Sequence, residues 1–237
     1  MKKLFVFFAL IAGLFGLASC GYKSPAMSHA EFMAAENGDD VIVEGYISAR
    51  QSWWEDKATL YLTTNNEGEG YFVYEYQCTE EEFNSKLVVG ACLRIYGAKT
   101  IYDGEHEIMG NNIDYEKSGV VANAPEFKEK ALKVTSINNE ELVKSQNGLF
   151  TATLKVKGTY SFKNDDENND IYFTLVDEAG NELSCCVECY VENIYPTVKG
   201  VITSADFVEG ASVTVTGYLY WWKTAANPHI TSIVINK

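Results

Sequence analysis

The sequence predicts an all-β chain in which one five-stranded unit is written twice, behind an export signal and with a short helix ahead of each copy. Three observations carry this. Runs rich in Val, Ile and Thr alternate with a period of two in a chain that has 15 Tyr and only 4 Pro, a composition suited to strands. The order of those runs, and of the glycines within them, recurs in the second half of the chain. The segments between the runs are polar, acidic and often glycine-bearing, as turns are.

The first element is not part of a folded unit. Met1-Lys2-Lys3 is a basic head, Leu4 to Leu17 an apolar run, and Ala18-Ser19-Cys20 a small-residue cleavage site. That succession is a secretory signal, and its apolar part is short for a bilayer span. Leu17-Ala18-Ser19-Cys20 resembles the lipobox of bacterial lipoproteins. The resemblance implies cleavage after residue 19 and a diacylglycerol thioether on Cys20, with the chain then anchored outside the cytoplasm in the cell envelope. Residues 20–38 become the lipidated lead, and the charge goes from −14 to −16 because two lysines leave with the signal. Within the lead, Ser28-His-Ala-Glu31 fits a capping box at the start of a short helix through Phe32.

Residues 39–114 form copy one. Its strands are Val41 to Ser48, Thr59 to Leu62, Tyr71 to Tyr76, Gly90 to Gly97 and His106 to Ile113. Thr79-Glu-Glu-Glu-Phe83 between the third and fourth strands predicts a capped helical turn. Residues 115–149 hold Pro125 and five acids against five bases, and are expected to be a linker with a second lead helix near Ser136 to Leu142. Residues 150–237 are copy two, with strands at Leu154 to Ser161, Asp170 to Phe173, Leu183 to Tyr190, Gly210 to Gly217 and His229 to Ile235. The glycines in the first and fourth strands suit the sharp bends of a small barrel.

Five strands with a helical link after the third resemble the OB-fold, a partly open Greek-key barrel. The lead helix and first strand, Glu31 to Ile47, are also similar to OB-fold lipoproteins of gut bacteria. These resemblances imply two tandem OB-like barrels, export and a binding role, and they supply no catalytic residue. In an OB barrel, ligands meet the face of strands two and three and the first and last inter-strand loops. Trp53 and Trp54 fall in the first loop of copy one. Trp221 and Trp222 fall in the last loop of copy two, at positions matching Ile101 and Tyr102. Tyr61, Tyr71 and Tyr74 are expected on or near the copy-one face. The candidate ligand contacts are therefore Trp53, Trp54, Tyr61, Tyr71, Tyr74, Tyr102, Trp221 and Trp222, since aromatic rings stack on bases and sugar faces. Neighbouring strand residues face opposite ways, so one Trp of each pair should leave the core.

Charge bears on the partner. Residues 39–114 carry fifteen acids against Arg50, Lys57, Lys86, Arg94 and Lys99, a balance that repels phosphate. A glycan, peptide or protein is the expected ligand and nucleic acid is disfavoured. Two other readings stay open: an envelope scaffold with the aromatics buried between domains, and single-stranded nucleic-acid binding through the OB faces. No enzyme is expected, nor any cofactor, because no phosphate loop, HExxH or catalytic triad is spelled out. Asp166, Asn168 and Asp170 are spaced like the start of a Ca²⁺ loop, but the glycine and distal glutamate are missing, so they are expected to be a solvated loop. After Cys20, five cysteines remain. Cys185 and Cys189 should share one strand face and Cys186 the other, which does not gather the three around a metal. They are expected, with Cys78 and Cys92, to be small buried hydrophobes. His106 and His229, just ahead of the last strands, are expected to face solvent or bond locally.

Overall fold

Alternation lays down the first strand, β1 (Asp40–Arg50): Val41, Val43, Gly45, Ile47 and Ala49 are buried and the residues between them are not. The computed structural model describes residues 25–236. The signal at 1–19 and Cys20 lie outside the described residues. Among the described residues, no helix is long and apolar enough to cross a membrane.

A short helix, α1 (His29–Ala34), precedes β1 and is closed by the Ser28–Glu31 capping box. Then come β2 (Lys57–Thr63), β3 (Gly70–Gln77), α2 (Glu80–Ser85), β4 (Ala91–Tyr102), β5 (Glu105–Ile113) and β6 (Gly119–Asn123). The sheet order is β1-β2-β3-β5-β4-β6, and β1 also pairs with β4, which closes a five-stranded barrel with β3 and β5 parallel. Closure rests on the length of β1. Its first half pairs with β4, Asp40↔Ala98 to Tyr46↔Cys92, and its second half with β2, Tyr46↔Thr63 to Arg50↔Leu60, across a bulge at Ile47/Ala49. The helix α2 sits between β3 and β4 behind a Thr79–Glu82 capping box and buries Phe83. This is the OB arrangement.

The rest of the chain is β7 (Leu132–Val134), α3 (Asn139–Leu142), β8 (Leu149–Phe162), β9 (Ile171–Val176), β10 (Glu182–Val187), α4 (Tyr195–Ile202), β11 (Ser212–Tyr218), the hairpin β12 (Trp221–Trp222) and β13 (Ala225–Ala226), and β14 (His229–Ile235). Its sheet runs β11-β14-β10-β9-β8-β7, with β8 paired also to β11. Here β10 and β14 meet in parallel at Cys186↔His229. Residues 115–149, expected as a linker, therefore lend β6 to the first sheet and β7 to the second.

Each unit has its own core. Phe32, Val43, Leu60, Leu62, Leu93 and Ile108 belong to the first, and Phe150, Ile171, Leu175, Leu183, Val213 and Trp221 to the second. A third apolar cluster joins them: Ala49, Tyr61 and Phe72 from the first unit meet Leu149, Val191 and Tyr218 from the second. Glycines allow the close approach. A Cβ on Gly148 would lie 2.0 Å from the Gly68 carbonyl oxygen, and one on Gly104 (φ +90°) 2.0 Å from that of Lys223.

Candidate ligand-binding cleft

The face of β2 and β3, expected to take ligand, is largely spent on the second unit. Tyr61 is 2% exposed. Its ring stacks on Tyr218 with centroids 4.7 Å apart, and its hydroxyl lies 2.7 Å from His229 Nδ1. Tyr71 points the other way, into the first core, edge-on to Phe32 at 5.2 Å. Trp221 is buried in the second core, where its backbone N–H donates to Glu105 Oε2 at 2.6 Å. These three are corrections to the expected ligand set: all are covered by the chain itself. Alternation along a strand could not reveal that a second unit caps the outward face.

What remains open is a cleft at the edge of that face. It encloses about 410 Å³ and is lined by the β1–β2 loop with Trp53 and Trp54, by Ala58 and Thr59, by Tyr74 and Glu75 of β3, and by Tyr190 of the second unit. Trp54 is 68% exposed, Tyr190 62% and Tyr74 38%. Trp53 is half-buried against the first core, and its indole N–H donates to the Cys78 carbonyl at 3.0 Å. The loop holds Trp54 out by a tight turn. Glu55 and Asp56 both have positive φ, 46° and 61°, and Trp54 and Lys57 exchange backbone hydrogen bonds of 2.9 and 3.1 Å across them. That is a two-residue hairpin turn of the primed kind.

Tyr190, which sequence reasoning missed, is brought in by inter-unit bonds. The Ser52 backbone N–H donates to the Tyr190 carbonyl at 2.9 Å, Gln51 bridges to Val191, and Arg50 Nε donates to Glu192 Oε2 at 2.7 Å. The cleft's basic group, Lys57, is paired with Glu75 at 2.9 Å, and that carboxylate holds its pKa above the usual lysine range.

A second exposed aromatic pair sits where the β4–β5 turn meets the β12–β13 hairpin. Tyr102 is 55% exposed and Trp222 41%, their ring centroids are 6.3 Å apart, and Lys223 Nζ lies 6.0 Å from the indole. The sequence placed these residues at equivalent points of two copies; the structure puts them side by side. In each Trp pair, one ring faces the core and the other leaves it.

Asp166, Asn168 and Asp170 do not converge. Asp166 Oδ1 accepts from the Asn168 backbone at 2.9 Å and both stay exposed, whereas Asp170 is buried against Lys163. Cys78, Cys92, Cys185 and Cys186 are buried free thiols, and Cys189 is half-buried. Of the two histidines expected to face solvent or bond locally, His229 differs: it is 6% exposed and bonds to Tyr61 across the units, whereas His106 is half-buried. His29, 3% exposed, donates from Nε2 to the Gln146 carbonyl at 3.0 Å. Asp170, Cys186 and Glu188 are the described residues whose donor atoms gather closely enough to hold a metal ion.

No protein-family model matches the chain, and no curated protein does. Solved structures do. A replication protein A heterotrimer described as bound to ssDNA is 12% identical, with 91% of this chain and 70% of that one covered and a TM-score of 0.30. The Ifi202 HINa domain in complex with 20bp dsDNA is 10% identical over 84% and 98%, TM-score 0.31. The single-stranded DNA binding protein from Thermus aquaticus is 10% identical over 86% and 95%, TM-score 0.30. The expectation that nucleic acid is disfavoured as a partner is corrected on this finding, since the matched structures are of DNA-binding proteins. What those proteins bind is theirs.

Proposed function

We propose that the chain is a non-enzymatic binding module built from two tandem OB-like units. It takes unpaired bases of single-stranded nucleic acid in the cleft between Trp54, Tyr74 and Tyr190. The observation that carries this is the open aromatic wall at the loop and strand positions OB barrels use for ligands, held in place by the second unit. Stacking supplies the affinity, about 1–3 kcal/mol per base. Charge supplies little, because Lys57 is tied to Glu75.

The reading has a distinct salt signature. With few phosphates neutralised, the slope of log K against log salt is expected to be shallower than about −1, where a basic groove would give several times that. Calorimetric titration with oligo-dT over a range of salt tests it. No heat at any salt, or a steep slope, contradicts stacking in this cleft. A neutral ring ligand such as a sugar is the second reading, favoured by Glu75 in the cleft wall and by Glu55 and Asp56 in the turn that follows Trp54; a soluble oligosaccharide competing off the oligonucleotide would select it.

The proposal includes an address: lipid on Cys20 tethers the module to a bacterial membrane on the extracytoplasmic side. Support comes from the residue 1–20 pattern. Labelling with a clickable fatty acid should mark the wild-type chain and not Cys20→Ser.

A further inference from the structure

The face of the second unit turned toward the first carries a buried set of side chains that the cleft does not use. Strand β10 ends at Val187, so alternation no longer fixes Cys189. The chain turns there, and the Cys189 backbone N–H donates to Asp170 Oδ1 at 3.0 Å. Asp170, Cys186 and Glu188 then offer one donor atom each, all within 4.8 Å of one another. Asp170 and Cys186 are each 2% exposed. His229 pairs with Cys186 across the parallel β10–β14 bridge, and its Nε2 lies 3.5 Å from Glu188 Oε1.

Two observations point to a cation. The first is charge. Two carboxylates and a thiol gather within 4.8 Å of one another, and the cation beside them is Lys163, half exposed, whose Nζ is 2.8 Å from Asp170 Oδ2. The second is the imidazole. The Tyr61 hydroxyl at 2.7 Å from Nδ1 fixes the ring and turns Nε2 toward Glu188. An outer partner on the far nitrogen is how proteins orient a ligating histidine.

We propose that Cys186 Sγ, His229 Nε2, Glu188 and Asp170 form a site for one thiophilic divalent cation of the Zn²⁺ class, seated where the two units meet. The mixed sulfur, nitrogen and oxygen set suits Zn²⁺, whereas Ca²⁺ and Mg²⁺ take oxygen ligands. On binding, the Cys186 thiol gives its proton to solvent and Lys163 leaves Asp170. Because Tyr61 belongs to the first unit, the bound ion would also fasten the two units together.

The test is Co²⁺ titration of the reduced, chelator-treated full chain, followed by displacement with Zn²⁺. One equivalent of Co²⁺ should bind with a thiolate-to-cobalt charge-transfer absorption, and Tm should rise until the site saturates. Cys186→Ser should abolish that band, while Cys78→Ser in the first unit keeps it. Tyr61→Phe should lower Zn²⁺ affinity by about tenfold. If Cys186→Ser does not fold by circular dichroism, Glu188→Gln and His229→Gln carry the test through loss of Zn²⁺ affinity. No Co²⁺ uptake, a band that survives Cys186→Ser, or affinity unchanged in Glu188→Gln and His229→Gln overturns the proposal.

Discussion

Trp54 and Trp221 carry the same side chain in opposite surroundings, one standing in solvent and one packed in the second core. Trp54→Ala is expected to leave stability within about 0.5 kcal/mol of wild type, as for other exposed side chains. Trp221→Ala should cost about 3–5 kcal/mol, because it opens a cavity in the second core. Urea denaturation of the two variants measures both. Tyr61→Phe is subtler. It keeps the stacked ring and removes the hydroxyl beside His229 Nδ1, leaving a buried ring nitrogen without its partner, at a cost of about 1–3 kcal/mol by the same measurement. The sequence showed that the tryptophans sit at loops and that each pair must split, since both follow from local alternation. It could not show that Tyr61 is covered, because its cover, Tyr218 and His229, comes from more than 150 residues further along the chain.

At the level of elements, local signals were legible and shared ones were not. The capping boxes at Ser28–Glu31 and Thr79–Glu82 hold as spelled, each being a contact between residues three apart. The five strands of the first unit also appear where their alternation puts them, and the helical link between the third and fourth closes the OB pattern. The end of β10 at Val187 was illegible: Leu183 to Tyr190 alternates throughout, but the turn is set by Asp170 gripping the Cys189 backbone. Residues 115–149 read as linker because β6 and β7 are short, and each pairs with a strand separated from it by another element, β6 with β4 and β7 with β8. The link between α3 and β8 meets the β2–β3 turn at Gly148, where Gly68 leaves no room for a methyl group. Gly148→Ala is expected to force the two segments apart and cost about 1–3 kcal/mol, read as a lower urea midpoint. The adjacent α1 is held differently. Lys99, 1% exposed, donates from Nζ to the carbonyls of Phe32, Met33 and Ala35 at 2.7, 3.0 and 2.7 Å, so it serves as the cap that the helix's own last turn lacks.

Across the whole molecule, the two units are joined by buried polar groups as well as by aromatic rings. Glu105 of the first unit is fully buried, and its Oε2 accepts from Gln146 Nε2 at 2.9 Å and from the Trp221 backbone at 2.6 Å. Burial pushes its carboxyl up to about 8, and that of Glu107 to about 7. Both therefore keep a proton in the folded chain that the unfolded chain has already lost above about pH 4.3. The stability they lend is complete below that pH and disappears as pH rises through 7 to 8. His29 and His106, whose pKa values burial lowers, act in the opposite sense, but their effect is complete above about pH 6.5. Between about pH 6.5 and about pH 8 the carboxylates set the sign, and Tm is expected to fall as pH rises; above that, Lys99, whose pKa burial lowers to about 8, acts in the opposite sense. Glu105→Gln, which mimics the protonated side chain, should flatten that fall in a calorimetric pH series.

The same joint positions Tyr190 opposite Trp54 and Tyr74, so the cleft exists only when both units are in place. The most direct test of that cleft as the binding site is tryptophan fluorescence during titration with a single-stranded oligonucleotide, for wild type and Trp54→Ala side by side. Saturable quenching in the wild type, and a loss of affinity of about five- to a hundredfold in Trp54→Ala at unchanged stability, is the expected result. Quenching and affinity equal in the two proteins, or no quenching in the wild type, would contradict it.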